Sequence, residues 1–96
     1  MYARVATIRF PPDMRAEVVR VARGLTSVLR EQRGFNGLQV LTDPNAGEGI
    51  LISLWETEDA AKTSEDGSAY IGQMSMMSSF LYGPLTPKTY ELDIRA

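Results

Sequence analysis

The chain has 96 residues, of which 44% are hydrophobic, and a formal net charge of −2. This length predicts one domain, residues 1–96, and the balanced charge predicts neither nucleic acid nor an anionic membrane as a partner. Cysteine and histidine are absent, which excludes disulfides, thiolate and imidazole metal sites, an imidazole base and a proximal histidine for haem. We therefore expect no metal and no cofactor.

Targeting signals are also missing from the sequence. The amino terminus lacks the long apolar segment and the small-residue cleavage site of a signal peptide. No apolar run approaches the roughly 18 residues that a membrane span requires. We expect a cytoplasmic protein.

The first predicted elements are a strand and a long helix. Apolar and polar residues interleave over residues 3–10, and two prolines end this strand. The helix has Asp13 as its predicted N-cap and Gly34 at its end. Its apolar residues recur at helical spacing: Met14, Val18, Val21, Ala22, Leu25, Val28 and Leu29. Gly24 lies inside this helix, and one interpretation is close packing against the sheet.

A hairpin and a broken helix are predicted next. Residues 35–42 and 48–55 (or 49–55) form two strands around a turn rich in Asp, Pro, Asn and Gly. Thr57 is a suitable N-cap for the second helix. This helix breaks near Asp66 and Gly67, and a second piece, capped by Ser68 or Asp66, runs to about Tyr82.

A last strand is predicted over residues 88–95. The order β-α-β-β-α-β predicts a ferredoxin-like α+β fold with a four-stranded antiparallel sheet and a broken second helix. The third strand is apolar on both faces, with Ser53 as the polar exception, so both faces should be covered. Two helical elements cover one face, and a second copy of the chain is therefore expected on the other.

The stretch GFNGLQVLTDPNAGEGILISLWETEDA, residues 34–60, resembles the central motif of the antibiotic biosynthesis monooxygenase family in the dimeric α+β barrel superfamily. The Gly-Phe-x-Gly opening at Gly34 and the Trp-Glu-x-Glu helix entry at Trp55 carry the resemblance. It implies a homodimer whose sheets form a barrel, and a pocket between the sheet and helices of each subunit. Some relatives oxidise aromatic polyketides with oxygen and no cofactor, some degrade haem, and many have no known activity.

The family's site residues are mostly replaced in this chain. The polyketide oxidases accompany the strand tryptophan with an asparagine, a tyrosine and an arginine. The matching positions here are Leu51, Ala61 and Ser75, so only Trp55 is shared. The haem-degrading branch uses an asparagine, a tryptophan and a histidine. Those positions correspond to Thr7, Ser64 and Met74, and haem degradation is not expected.

The candidate ligand-binding residues are Trp55, Tyr70, Met74, Ser53, Gln39 and Thr7. Trp55 either stacks on an aromatic ligand or packs where the third strand meets the next helix. Met74 either adapts to a ligand or fills the core together with Met77. Tyr70 is the strongest polar candidate. The acidic residues that follow Trp55, including Glu65, are interpreted as solvated charge.

Two functions remain open from the sequence. One is binding of a small aromatic metabolite of the phenol or quinone type, with cofactor-independent monooxygenation as its reaction. The alternative is a non-catalytic ligand-binding or stress-associated module, which the three replaced oxidase positions favour. A cavity of several hundred Å³ with convergent polar groups would indicate a small-molecule role, and a closed interior would argue against one.

Overall fold

The computed structural model describes residues 1–96. A sheet and three α-helices are formed in the order β1 (Tyr2–Arg9), α1 (Arg15–Arg30), β2 (Phe35–Asp43), β3 (Glu48–Trp55), α2 (Glu58–Thr63), α3 (Ser68–Ser78) and β4 (Lys88–Glu91). This order confirms the predicted ferredoxin-like arrangement with a divided second helix. No helix is long and apolar enough to cross a bilayer.

The four strands pair antiparallel in the spatial order β2-β3-β1-β4, which confirms the central place of β3. In the register of β1 and β3, Ala6 lies opposite Leu51 and Arg4 lies opposite Ser53. Because side chains alternate along a strand, these four residues share the face on which the helices pack. We call this the helix face, and the opposite side the open face.

The core lies between the helix face and the helices. One buried cluster gathers around Phe10 and Met77, and a second around Leu29 and Trp55. Met74 packs against both clusters. The buried positions of α1 are Val18, Val21, Ala22, Leu25 and Leu29, all members of the predicted apolar stripe.

The open face keeps part of its apolar surface in contact with water. Ile50 is 39% exposed and Leu41 is 50% exposed, and both lie toward the β2–β3 turn. At the other end of the same face, Leu54 and Ala3 are already buried. The apolar surface that lacks cover is therefore concentrated at the turn end of the sheet.

Helix boundaries differ from the predictions at three places. Asp13 belongs to a 3-10 turn, and α1 begins at Arg15 without a side-chain cap. Gly67, not Ser68 or Asp66, precedes α3. The helix ends at Ser78, four residues before Tyr82, and the chain continues through turns. The Thr57 cap is confirmed, since its hydroxyl accepts a hydrogen bond from the Ala60 amide at 3.1 Å.

The last strand is shorter than predicted, because β4 ends at Glu91 rather than at residue 95. The amide of Leu92 still donates to the Met1 carbonyl at 2.9 Å. The register of β1 and β4 runs from Val5 opposite Lys88 to Tyr2 opposite Glu91, and residues 93–95 pair with no strand. Alternation of apolar and polar residues over 88–95 is therefore not sufficient for a strand without a partner.

Gly24 faces α3 and not the sheet, contrary to the interpretation from sequence. A Cβ atom at this position would lie 2.5 Å from the Gln73 Nε2 atom. That amide donates to the Val21 carbonyl at 2.8 Å and joins α3 to α1. The absence of a side chain at Gly24 therefore leaves room for the hydrogen bond that joins the two helices.

Candidate functional site

A small recess between the helix face and the helices brings polar side chains into an apolar setting. Its volume is about 30 Å³. Its polar lining consists of Arg4, Ser53, Ser64, Glu65 and Tyr70, and its apolar lining includes Leu25, Leu29, Leu38, Leu51 and Leu85. We call it the Arg4 recess.

Arg4 and Glu65 form a two-point ion pair at this recess. Arg4 lies in β1, one of the two central strands, and Glu65 lies in the connection between α2 and α3. The Nε atom of Arg4 donates to Oε2 of Glu65 at 2.8 Å, and Nη2 donates to Oε1 at 2.9 Å. The remaining nitrogen, Nη1, donates to the Thr89 hydroxyl at 2.9 Å. The hydrogen bond to Glu65 raises the pKa of Arg4 although burial opposes it, so the guanidinium stays charged.

The α2–α3 connection is held in place by hydrogen bonds next to Glu65. The buried Ser64 hydroxyl donates to the Ala61 carbonyl at 2.8 Å. The Gln32 side chain donates to the Ser64 carbonyl at 2.9 Å, which ties this connection to the end of α1. The backbone that carries Glu65 is thus anchored on two sides.

Tyr70 enters the recess from the first turns of α3. Burial raises the pKa of its hydroxyl to about 12, with a further rise from Glu65 that Arg4 partly opposes. The hydroxyl therefore stays protonated at neutral pH and can donate a hydrogen bond. It makes no hydrogen bond within the chain, yet no fully buried polar atom lacks a partner, so it reaches the accessible space of the recess.

Trp55 is fully buried and packs in the core. Its ring meets Phe35 edge-on, with centroids 5.5 Å apart and an interplanar angle of 67°. Its Nε1–H donates to the Ser53 hydroxyl at 2.8 Å. The ring thus fills the junction of β3 and α2 and is absent from the recess lining, while Ser53 lines the recess and retains its own proton for donation.

The other candidates lie elsewhere. Met74 packs into the core and does not line the recess. Thr7 and Gln39 lie on the open face, and both are exposed. Thr7 lines a wider groove of about 410 Å³ on that side of the sheet. The structure thus unites only Tyr70 and Ser53 of the six candidates in the recess.

The sequence interpretation missed Arg4, Ser64 and Glu65. The signal for Arg4 was available, because strand alternation places it on the same face as the apolar residues Ala6 and Ile8. Glu65 was interpreted as solvated charge, and no local pattern distinguishes it from its acidic neighbours. Its role depends on a partner 61 positions away in the chain.

The recess offers hydrogen-bond donors to an oxygen atom of a bound molecule. Tyr70, Ser53 and Arg4 are all donors, and one carboxylate accepts from the arginine. No three carboxylates converge anywhere in the chain to hold a metal ion. A volume of about 30 Å³ accommodates a water molecule or two, whereas a cavity of roughly 150 Å³ accepts a benzene ring.

Comparison with known proteins shows the family. Residues 1–71 match the family model described as antibiotic biosynthesis monooxygenase. No curated protein sequence matches the chain significantly.

Solved structures share the fold at low identity. A protein from Bordetella bronchiseptica has a TM-score of 0.84 at 15% identity, covering 97% of each chain. A mutant of SnoaB from Streptomyces nogalater, described as a cofactor-independent oxygenase, has a TM-score of 0.81 at 13% identity, covering 98% of this chain and 94% of that chain. Rv0793 from Mycobacterium tuberculosis has a TM-score of 0.79 at 16% identity, covering 99% and 97%. Because the family model spans most of the chain, this protein belongs to the antibiotic biosynthesis monooxygenase family.

Proposed function

We propose that this protein binds a small aromatic metabolite of the phenol or quinone type at the Arg4 recess and oxygenates it without a cofactor. The observation that carries the proposal is the convergence of three donors, on Arg4, Tyr70 and Ser53, in an otherwise apolar lining. Such a setting suits one oxygen atom attached to a flat apolar body. SnoaB from Streptomyces nogalater, a cofactor-independent oxygenase, has the same fold.

Binding requires the recess to open, since about 30 Å³ cannot hold an aromatic ring. Leu85 and Pro87 line the recess from the segment between α3 and β4, which has no regular secondary structure. Few backbone hydrogen bonds hold such a segment, so its displacement costs less than the opening of a helix or strand. A ligand oxygen that replaces Glu65 on Arg4 would recover part of the lost hydrogen bonding.

The reaction uses the electrons of the substrate. A phenolate bound at the Arg4 guanidinium transfers an electron to dioxygen, and the substrate radical combines with the resulting superoxide to form a C–O bond and a peroxide. The O–O bond of the peroxide then breaks and leaves one oxygen atom on the ring. The other oxygen atom leaves as water, with two hydrogens from the substrate. The protein orients the anion through Tyr70 and Ser53 and excludes water.

Oxygen uptake with a panel of anthrone- and naphthol-type phenols tests the proposal. We expect uptake above buffer for at least one compound, and a loss of roughly tenfold or more in kcat/KM for Arg4→Gln and Tyr70→Phe. Tyr82→Phe is the matched control, because Tyr82 is exposed and lies outside the recess. Equal uptake in buffer and in protein solution for the whole panel would refute oxygenation of this substrate class.

Non-catalytic ligand binding is the second candidate, and one observation favours it. Two of the replaced oxidase positions, Leu51 and Ala61, are buried apolar residues in the core clusters. Apolar side chains that pack in the core therefore stand where the oxidases have polar groups. Quenching of Trp55 fluorescence measures the binding of panel compounds. Saturable binding of one of them without oxygen uptake would assign the chain to this alternative.

We further propose that two copies associate through their open faces. The support is the exposure of Leu41 and Ile50, which lie opposite each other in the register of β2 and β3, since apolar residues in one contiguous area mark an association surface. A two-fold dimer covers the same area on both copies. The cytoplasmic location and the single domain over residues 1–96 stay predictions.

A further inference from the structure

The 92–96 segment has the composition of a strand and lacks a place in its own sheet. Tyr90, Leu92 and Ile94 alternate with charged residues, yet regular pairing ends at Glu91. Ile94 is 83% exposed, the most exposed large hydrophobic side chain of the chain. Arg95 contacts only the Met1 sulfur, at 3.9 Å, among side-chain groups. Both side chains are available to a partner.

The widest cavity lies at the opposite end of the sheet, on the open face. This groove of about 410 Å³ is lined by Thr7, Arg9, Leu41, Asp43, Glu48 and Ile50, among others. Its floor is apolar, from Leu41 and Ile50, and its rim carries two carboxylates. Asp43 is occupied by the turn, where its side chain accepts from the Asn45 and Ala46 amides. The Glu48 carboxylate forms no ion pair, although Arg9 lies opposite in the register.

The segment cannot reach the groove of its own chain. Leu92 is bonded to Met1, and Thr7, the nearest groove residue on β1, lies six residues further along the strand. That separation is roughly 20 Å, whereas two extended residues from Leu92 to Ile94 span about 7 Å. Only another molecule can bring Ile94 to the groove.

We propose that the 92–96 segment of one copy docks in the groove of a second copy, an inference that rests on the proposed homodimer. Ile94 packs on Leu41 and Ile50, and Arg95 pairs with Glu48. A two-fold axis across the strands places the start of β1 in one copy near the end of β1 in the other, which brings each segment toward the partner's groove. An axis along the strands would instead place the start of β1 over the start of β1, which leaves each segment at the end of the partner's sheet away from the groove.

Engineered disulfides test the contact, because the chain has no cysteine of its own. Ile94→Cys and a size-tagged Ile50→Cys are mixed, allowed to exchange subunits and oxidised mildly. We expect the mixed disulfide to exceed by roughly tenfold that formed between Ile94→Cys and the control Ile71→Cys, since only the first pair meets the geometric limits of a disulfide. Ile71 is an exposed residue of α3, away from the groove.

Charge reversal tests the ion pair in the same assembly. Arg95→Glu and Glu48→Arg should each raise the dimer dissociation constant, by about tenfold, and the double variant should return to within about threefold of the parent. Arg30→Glu, on the exposed face of α1, should leave the constant unchanged. Sedimentation equilibrium measures all four.

The outcomes separate this inference from the proposals on which it rests. A dimer without the Ile94–Ile50 disulfide, or without recovery in the double variant, would overturn the docking of the segment and leave the homodimer standing. A monomer at all concentrations would overturn the homodimer and the docking together. Neither result bears on ligand binding at the Arg4 recess, which oxygen uptake and fluorescence measure separately.

Discussion

Strand β3 contributes side chains to both faces of the sheet, and the two faces lie in different environments. Leu51 and Trp55 of β3 are buried beneath the helices, while Ile50 of the same strand is 39% exposed. Their hydrophobicity is similar, so the difference comes from what lies above each face. The helices cover one side, and this chain offers nothing for the turn end of the other.

The comparison also separates cavity size from chemistry. The open face carries the larger groove, about 410 Å³, and the helix face encloses only about 30 Å³. The smaller space, however, is where Arg4, Tyr70 and Ser53 converge. We therefore propose ligand binding at the helix face and association at the open face, although the open face has the larger cavity.

The largest expected effect is on the helix face, at Trp55. Replacing this buried ring by alanine in Trp55→Ala should lower the free energy of unfolding by about 3–5 kcal/mol, because a large cavity forms and the contact with Phe35 is lost. Ile50→Ala on the open face should cost under about 1 kcal/mol in the monomer. Urea denaturation measures both, at a protein concentration below the dimer dissociation constant. Equal costs would show that the two faces are equally buried.

On the open face the main effect should be on association. Ile50→Asp places a charge in the proposed interface, and we expect the dimer dissociation constant to rise by roughly a hundredfold. Ile71→Asp, on an exposed site of α3, is the control. Sedimentation equilibrium gives the constants. An equal change in the dimer dissociation constant for the two substitutions would indicate that the open face is not the interface.

A smaller effect is expected at the ion pair of the recess. In a double-mutant cycle of Arg4→Gln and Glu65→Gln, the coupling free energy should be about 1 kcal/mol, because the ion pair is bidentate but only partly buried. The exposed pair of Lys62 and Glu58 should couple by at most about 0.5 kcal/mol. Thermal or urea unfolding of each set of variants measures the coupling. Equal coupling free energies for the two pairs would show that the Arg4–Glu65 pair stabilises the fold no more than an exposed ion pair does.

An effect of similar size, confined to alkaline pH, is the pH dependence of stability due to Tyr70. Its pKa is raised from 10.0 to about 12 in the folded chain, so the unfolded state releases the proton first as the pH rises. Stability is unaffected by this group below pH 10 and falls between about pH 10 and 12, by roughly 1 kcal/mol after allowance for the partial exposure of the ring. Tyr70→Phe should flatten this decline in urea titrations, and Tyr82→Phe should not. A decline of equal slope in Tyr70→Phe would contradict the burial of the hydroxyl.

Sequence reasoning located the strands and helices well where periodicity was long. The apolar stripe of α1, the hairpin around residues 43–48 and the Thr57 cap follow from local rules and are confirmed. It was wrong where an end depends on a neighbour. Residues 92–95 have strand alternation but no strand beside them, and Asp13 suits a cap but lies in a 3-10 turn.

The candidate site was less predictable than the fold. Tyr70 and Ser53, which line the recess, could be named as candidates because each carries a hydroxyl group in apolar surroundings. Trp55 turned out to be core, and its Nε1–H is bound by Ser53, a contact between residues on the same face of one strand. Arg4 and Glu65 could be joined only by knowing that the α2–α3 connection returns over the start of β1.

Amino-acid order alone was enough for the element sequence, the central place of a strand that is apolar on both faces, the lack of thiol and imidazole chemistry, and the resemblance that led to the family. These depend on local spacing and composition, which a linear pattern contains. The pairing of Arg4 with Glu65, the partly buried position of Tyr70, the groove on the open face and the unpaired 92–96 segment emerged only from the folded chain. Each depends on distances between residues far apart in sequence, and those distances exist only once the sheet and helices have packed.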